Sequence, residues 1–213
     1  MTKTHLYLVR HGETDWNRHS RIQGHLDTPL NALGVAQAKA LAKQLAPLHC
    51  QALYSSDLRR AVQTAEFLAQ QTGLKIQPQS CLRERDLGIL QGLSKVEAEQ
   101  QQPEAWQHYH QDVDYVIPHG ESSRQFMQRC VSCLTHLAEQ NAGEKILVVT
   151  HGGVLGNLLK HTLGISLQQA RRFRALNTCF NWFVYEKGEW LLHTWGEVQH
   201  LRQLEGLDDV DTW

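Results

Sequence analysis

Two segments of this chain share one layout: a short aliphatic run, then His-Gly, then a loop or helix. Leu6-Tyr7-Leu8-Val9 leads into Arg10-His11-Gly12, and Ile146-Leu147-Val148-Val149-Thr150 leads into His151-Gly152-Gly153. A short run that is apolar at nearly every position suits a strand buried on both faces, and such strands belong to parallel sheets covered by helices. If both strands lie in one open parallel sheet, their carboxyl ends share an edge, and ligands bind beyond that edge. Both histidines would then face one crevice, and each following glycine would let backbone approach a ligand closely.

The rest of the chain supplies the alternation such a sheet needs. A strand is expected over His5–Val9. Asn31 can cap a helix whose inner face is Gly34, Ala38, Leu41, Leu45 and Leu48. A strand follows over Gln51–Ser55. Asp57 can then cap a helix carrying Leu58, Ala61, Val62, Ala65 and Leu68, which Gly73 ends, and Lys75–Gln77 begins a third strand. The stretch from Leu82 to Gly120 is less regular, with room for one or two short helices between its glycines and prolines. Helical spacing returns from Ser122 to Gln140 through Phe126, Cys130, Cys133 and Leu137. After the Lys145–Thr150 strand, Val154, Leu155, Leu158 and Leu159 describe another helix. Phe180–Glu186 and Trp190–Trp195 form a hairpin turned at Lys187-Gly188. The expected fold is α/β, a three-layer sandwich with a mostly parallel central sheet flanked by helices. We expect one domain over 1–213, with a lid-like irregular segment at about 94–120.

Composition sets limits on partners. With 213 residues, 41% of them apolar, the chain can bury an ordinary core. A formal net charge of -1 argues against general affinity for nucleic acid or anionic membrane. Any anion must therefore be met by a local cationic cluster. No apolar run approaches the roughly 18 residues of a membrane span, and the segment ending at Arg10 is too short for a signal-peptide core, so a cytoplasmic location is expected. The C-x-x-C of Cys130 and Cys133 lies in a helical pattern without a second ligand pair. Buried thiols in a reducing compartment are the preferred reading over a redox or zinc site.

The crevice would hold His11 and His151 together with at least two arginines. One is Arg10; Arg59 and Arg60 come from the first turn of the helix after Tyr54-Ser55-Ser56. Guanidinium forks match phosphate oxygens. A neutral imidazole whose second nitrogen is held by a hydrogen bond is a competent nucleophile. The combination suggests phosphoryl transfer.

At this point the residues resemble a known family. Leu8-Val9-Arg10-His11-Gly12-Glu13-Thr14-Asp15-Trp16-Asn17 resembles the signature of the histidine phosphatase superfamily, the phosphoglycerate mutase-like proteins. In the expected order follow Arg21 to Asn31, Tyr54-Ser55-Ser56-Asp57-Leu58-Arg59-Arg60-Ala61, Leu82-Arg83-Glu84-Arg85-Asp86-Leu87-Gly88, and Thr150-His151-Gly152-Gly153. The resemblance spans the chain. It implies that His11 becomes phosphohistidine, that Arg10, Arg60 and His151 bind the phosphoryl oxygens, and that Glu84 protonates the leaving oxygen. It further implies that Asn17, Gln23 and Gly24 contact the substrate at the mouth. No metal or cofactor is called for, because the cationic cluster already neutralises the phosphate. The expected partner is a small-molecule phosphomonoester, and the protein is expected to be a monomer or homodimer.

The resemblance admits a cofactor-dependent phosphoglycerate mutase as well as a phosphatase. Mutases of the family resemble each other in a long basic insertion between the acid motif and the second histidine. Here that interval is short, and Val96 to Ser123 contains no lysine or arginine, which favours hydrolysis. Among rival residues, Glu13 reads as structural and Glu121 as the start of a helix, able to reach the site. Arg59 reads as a solvated neighbour, as does the cluster Arg171, Arg172 and Arg174. His108, His110 and His119 lack a defined ligand geometry for zinc. Trp106, Tyr109 and Tyr115 suit either a substrate wall or the underside of a lid. The acidic tail from Leu201 to Trp213 could dock on its own domain or a partner.

Overall fold

We analysed a computed structural model of the protein, which describes residues 2–202 and 204. Six strands form one sheet: β1 (Thr4–Arg10), β2 (Ala52–Ser56), β3 (Ile76–Gln79), β4 (Lys145–Thr150), β5 (Phe180–Glu186) and β6 (Glu189–Glu197), in the order β3-β2-β4-β1-β5-β6. The first four in that order run parallel, and β5 and β6 add an antiparallel edge. The helices are α1 (Asp15–Arg18), α2 (Ala32–Leu45), α3 (Arg59–Thr72), α4 (Lys95–Gln101), α5 (Pro103–Gln111), α6 (Ser123–Gln140) and α7 (Gly152–Thr162).

Alternation along the strands produces the three layers. Leu6 and Leu8 of β1 point with Ile146 and Val148 of β4 into a core covered by α6 and α7, while Tyr7, Val9, Leu147 and Val149 face α2 and α3. Both sides are apolar because both are covered, as the unbroken aliphatic runs require. Asn31 caps α2, its side chain accepting from the Gly34 N–H at 2.8 Å, and Gly73 closes α3 at φ +73°. The stretch expected to be irregular contains α4, started by a Ser94–Glu97 capping box, and α5, which has a proline in its first turn. Ala98 of α4 and Ala105 of α5 join Ile22, Leu87, Leu90 and Ile117 from the surrounding loops in a third, smaller cluster.

Two expectations are corrected. Asp57 does not cap α3: the cap position is Leu58, and both Asp57 oxygens accept from Arg83 at 2.7 and 2.6 Å. Asp27, from the preceding loop, takes the free N–H of Arg59 instead, at 2.6 Å. Cys133 is not a free thiol beside Cys130. It is disulfide-bonded to Cys81, which lies across from α6 on the turn after β3, while Cys130 is free and buried. Spacing along the chain shows neighbours on one helix but not a partner 52 residues away. Most of the acidic tail, Trp213 included, lies outside the described residues.

Candidate active site

The strand order makes the site. β1 and β4 are adjacent and parallel, with Arg10 opposite Thr150, so the next residues along, His11 and His151, emerge side by side. The His11 N–H donates to the Thr150 carbonyl at 2.9 Å, and the two ring centroids lie 5.1 Å apart. β2, on the other side of β4, brings in Ser56, whose Oγ is 2.8 Å from His151 Nε2, and the start of α3 with Arg60.

His11 Nδ1 lies 2.7 Å from the carbonyl oxygen of Gly12. A carbonyl can only accept, so Nδ1 carries the proton and Nε2 keeps its lone pair. Burial first, then the charges of Arg60 and Arg10, hold the His11 pKa well below its ordinary value, against a smaller opposing effect of the Gly12 hydrogen bond. The same burial and the same arginines, with His11 itself, lower His151. Both rings are thus neutral at pH 7, and Nδ1 of His151 is buried with no hydrogen-bond partner among the described residues.

The arginines are held by main chain. Arg10 donates from Nη1 to the Ala175 carbonyl at 2.7 Å. Arg60, 1% exposed, donates from Nη2 to Gly24 and from Nη1 to Leu26, which staples the loop after α1 over the site. Burial pulls the Arg60 pKa down to about 10, still charged at pH 7, while Glu84 and Asp27 act in the opposite direction. Its Nε is buried and unpartnered among the described residues. An orphaned buried donor is costly unless a ligand accepts from it.

Asn17 and Gln23 present one end only. Asn17 Oδ1 accepts from the backbone N–H of Thr14, and Gln23 Oε1 accepts from the hydroxyls of Thr14 and Thr28. Their carbonyl ends are occupied, so the NH₂ ends remain to meet an anion. Gly24 sits at φ +50° with its backbone against the Gln91 side chain, a place where a Cβ would collide.

Glu84 hangs from a fixed turn. Its Oε1 accepts from the Arg85 N–H at 2.9 Å and its Oε2 from the Gly153 N–H at 3.0 Å, at the start of α7. A side chain at Gly153 would overlap Glu84, which explains the second glycine after His151. Arg129 of α6 locks the turn from behind: it donates to the carbonyls of Cys81, Arg83 and Glu84 and pairs with Glu121 at 2.5 Å. Glu121 in turn accepts from the Asp86 N–H, so this rival carboxylate is a buttress. Glu13 likewise serves structure, accepting from Asn31 Nδ2 at 2.7 Å.

The structure therefore brings His11, His151, Arg10, Arg60, Glu84, Asn17, Gln23 and Gly24 to one end of the sheet. Arg59 is exposed. His108 stacks on Tyr115 and His110 meets Trp106 edge-on, and neither joins His119 in a metal-binding group. Sequence reasoning missed Asn177, whose Nδ2 donates to the His11 carbonyl at 2.8 Å, along with Ser56 and Arg129. Arg171 is a further miss. Unlike exposed Arg172 and Arg174 it is partly buried, in the electrostatic field of Arg10 and Glu84.

Residues 6–198 match the histidine phosphatase superfamily, branch 1, and the chain belongs to that family. Among its relatives is Phosphoglycerate mutase-like protein 4 of Arabidopsis thaliana, 39% identical over 93% of this chain and 87% of that one. Among solved structures, Bacillus stearothermophilus YhfR superposes with a TM-score of 0.87 at 32% identity, covering 93% of this chain and 99% of that one. A mycobacterial glucosyl-3-phosphoglycerate phosphatase superposes with a TM-score of 0.80 at 30% identity, covering 91% and 99%. Among the described residues no helix is long and apolar enough to cross a membrane.

Proposed function

We propose that the protein is a metal-independent phosphomonoester hydrolase acting on small phosphorylated metabolites through a phosphohistidine at His11. The observation that carries this reading is the state of His11: a neutral imidazole, its Nδ1 proton spent on Gly12, its Nε2 lone pair set among Arg10, Arg60 and a second neutral histidine. Nε2 attacks phosphorus in line while the bond to the ester oxygen breaks. Arg10, Arg60, His151 and the amides of Asn17 and Gln23 stabilise the charge spread over the equatorial oxygens. Glu84 gives a proton to the departing oxygen, then takes one from the water that attacks the phosphohistidine and frees phosphate. The segment from Ser94 to Gly120 covers the mouth as a lid. The presence of a phosphatase among the similar structures supports hydrolysis.

Phosphate release from p-nitrophenyl phosphate in EDTA, with His11→Ala alongside, tests the reading. Turnover is expected in the wild type and none in the variant; comparable rates in both would sink the nucleophile. Glu84→Gln should slow alkyl phosphates by about 10²–10⁴-fold but p-nitrophenyl phosphate far less, since nitrophenolate leaves without a proton. Equal losses would point to another acid.

The phosphoglycerate mutase reading draws support from the name of the Arabidopsis relative. The run from Val96 to Ser123 without lysine or arginine counts against it, because a mutase must hold a second phosphate. Formation of 2-phosphoglycerate from 3-phosphoglycerate, primed with bisphosphate, would decide for it.

A further inference from the structure

Just before β5 the chain makes a tight turn beside the nucleophile. The Cys179 N–H donates to the Leu176 carbonyl at 3.0 Å, which closes a four-residue turn with Asn177 and Thr178, both fully buried, at its centre. Thr178 stands at φ +56°. A positive φ at the third place of a turn favours glycine, and a β-branched residue is strained there. The turn faces the main chain of His11. Asn177 Nδ2 donates to the His11 carbonyl at 2.8 Å, and the Thr178 N–H is shared between the carbonyls of Arg10 at 3.1 Å and His11 at 3.3 Å. From the other side the His11 N–H is bound to Thr150, and the Gly12 N–H donates to Thr64 Oγ1 at 3.0 Å. The backbone of the nucleophile is thus held from β4, from α3 and from this turn at once. Gly12 is also the acceptor that fixes the His11 tautomer, so a shift of this peptide moves the Nε2 lone pair.

A threonine in a glycine place calls for a reason in its side chain, and Thr178 Oγ1 supplies one. It donates to the Asn177 carbonyl at 2.8 Å and lies 3.0 Å from His200 Nε2. A hydroxyl has one proton to give, so His200 carries its hydrogen on Nε2 and donates to Oγ1. Burial lowers the His200 pKa to about 4, and the ring is neutral at pH 7. His200 belongs to a short helical turn, Gln199–Leu201, that follows β6 and packs against α2. Glu197 anchors this turn, one carboxylate oxygen accepting from the Gln199 N–H at 2.5 Å and the other from Gln44 of α2 at 2.6 Å. A hydrogen-bonded path therefore runs from α2 through His200 and Thr178 to Asn177 and the His11 carbonyl.

We propose that Thr178 and His200 are positioning residues for the phosphoryl acceptor: they hold the strained turn that grips the His11 main chain, and so fix the line along which Nε2 attacks. Glycine would make the same turn with less strain, but without a hydroxyl to tie His200 to Asn177. Strain kept beside a reacting group is the expected cost of such fixed geometry. The proposal rests on His11 as the nucleophile and adds the residues that aim it.

Thr178→Gly is the informative variant, since glycine accepts φ +56° without strain and should keep the fold. Its kcat/KM should fall by about 10- to 100-fold, by the same factor for p-nitrophenyl phosphate and an alkyl phosphate, because aim is lost and leaving-group protonation is not. Vanadate, which takes the five-coordinate arrangement on Nε2, should bind more weakly by a matching factor, while inorganic phosphate, held by the arginines, keeps its inhibition constant. Thr178→Ser, which retains the hydroxyl, should recover most of the loss. His200→Leu should act in the same direction and His200→Gln should recover part of it. The Thr178→Gly, His200→Leu double variant should be no slower than Thr178→Gly alone, as for two residues on one path. An unchanged kcat/KM in Thr178→Gly overturns the proposal, and so does equal weakening of vanadate and phosphate, which marks a general collapse of the site. Additive losses in the double variant overturn the role of His200. If Thr178→Gly does not fold, His200→Leu, which leaves the turn residues in place, carries the same test. The imidazole nitrogen-15 spectrum gives a readout apart from turnover: His11 should hold its proton on Nδ1 in the wild type and divide it between both nitrogens in Thr178→Gly. If the wild type hydrolyses nothing, the phosphatase reading fails, while that spectrum still decides the positioning role: divided tautomers uphold it and an unaltered His11 overturns it.

Discussion

At the level of single residues, burial and two neighbouring arginines keep two histidines uncharged at one end of the sheet. The pH dependence of stability follows from that. In the unfolded chain a histidine titrates near 6.5, whereas burial, Arg60 and Arg10 push His11 and His151 well below it when folded. Above pH 6.5 neither state binds these protons, and the contribution is full and constant. As pH falls below 6.5 the unfolded chain takes up protons that the folded one refuses, and stability declines by up to about 1.4 kcal/mol per pH unit for each group until its folded pKa is passed. Urea titrations at pH 7.5, 6.0 and 5.0 should show that slope. Other histidines share the direction, including His200, lowered to about 4 by burial. The informative comparison is therefore a His11→Gln, His151→Gln double variant, whose slope should be clearly smaller. An equal slope would assign the effect elsewhere. The two histidines were legible in sequence because the same strand and the same glycine precede and follow each of them. Asn177 was not, because it acts through a carbonyl of a residue 166 positions away.

Among the elements, the turn carrying Glu84 concentrates the most restraint. Arg129 takes three of its carbonyls, His25 Nε2 lies 2.8 Å from the Glu84 carbonyl, and Thr150 Oγ1 donates to the Leu82 carbonyl at 2.8 Å. The Cys81–Cys133 bond adds a covalent tie from this turn to α6. Closing a loop of that size restricts the unfolded chain, and its removal typically costs about 2–4 kcal/mol. Cys81→Ala, or dithiothreitol on the wild type, should lower the urea midpoint accordingly, and the reductant should not affect the variant further. Coincident midpoints for oxidised and reduced wild type would show that the bond contributes nothing. Strands and long helices could be placed from the sequence because apolar period alone specifies them. The Asp57 cap could not, because Arg83 outcompetes a backbone N–H for the carboxylate, and a charge-assisted bidentate pair is the stronger bond.

Over the whole molecule, the two faces of the sheet and the α4–α5 unit have separate apolar clusters, and they differ in size. The α6–α7 face joins residues from Leu6 to Trp190, whereas the third cluster rests on Ile22, Leu87, Leu90, Ala98, Ala105 and Ile117. A small satellite core opens at lower free energy than the main one. The amides of α4 and α5 should therefore exchange with deuterium at least about tenfold faster than those of β1 and β4, a difference of roughly 1.4 kcal/mol in opening. Vanadate, a mimic of the five-coordinate phosphoryl group, should fill the pocket between His11 and Arg60 and draw Gly24 and the acid turn together. If the Ser94–Gly120 segment is the lid, exchange in α5 should slow with vanadate, since Tyr109 lies in the field of Glu84 and Arg171. Slowing confined to β1, β4 and the Arg21–Asn31 loop, with α5 unchanged, would make α4 and α5 a fixed wall and leave gating to the loop that Arg60 holds.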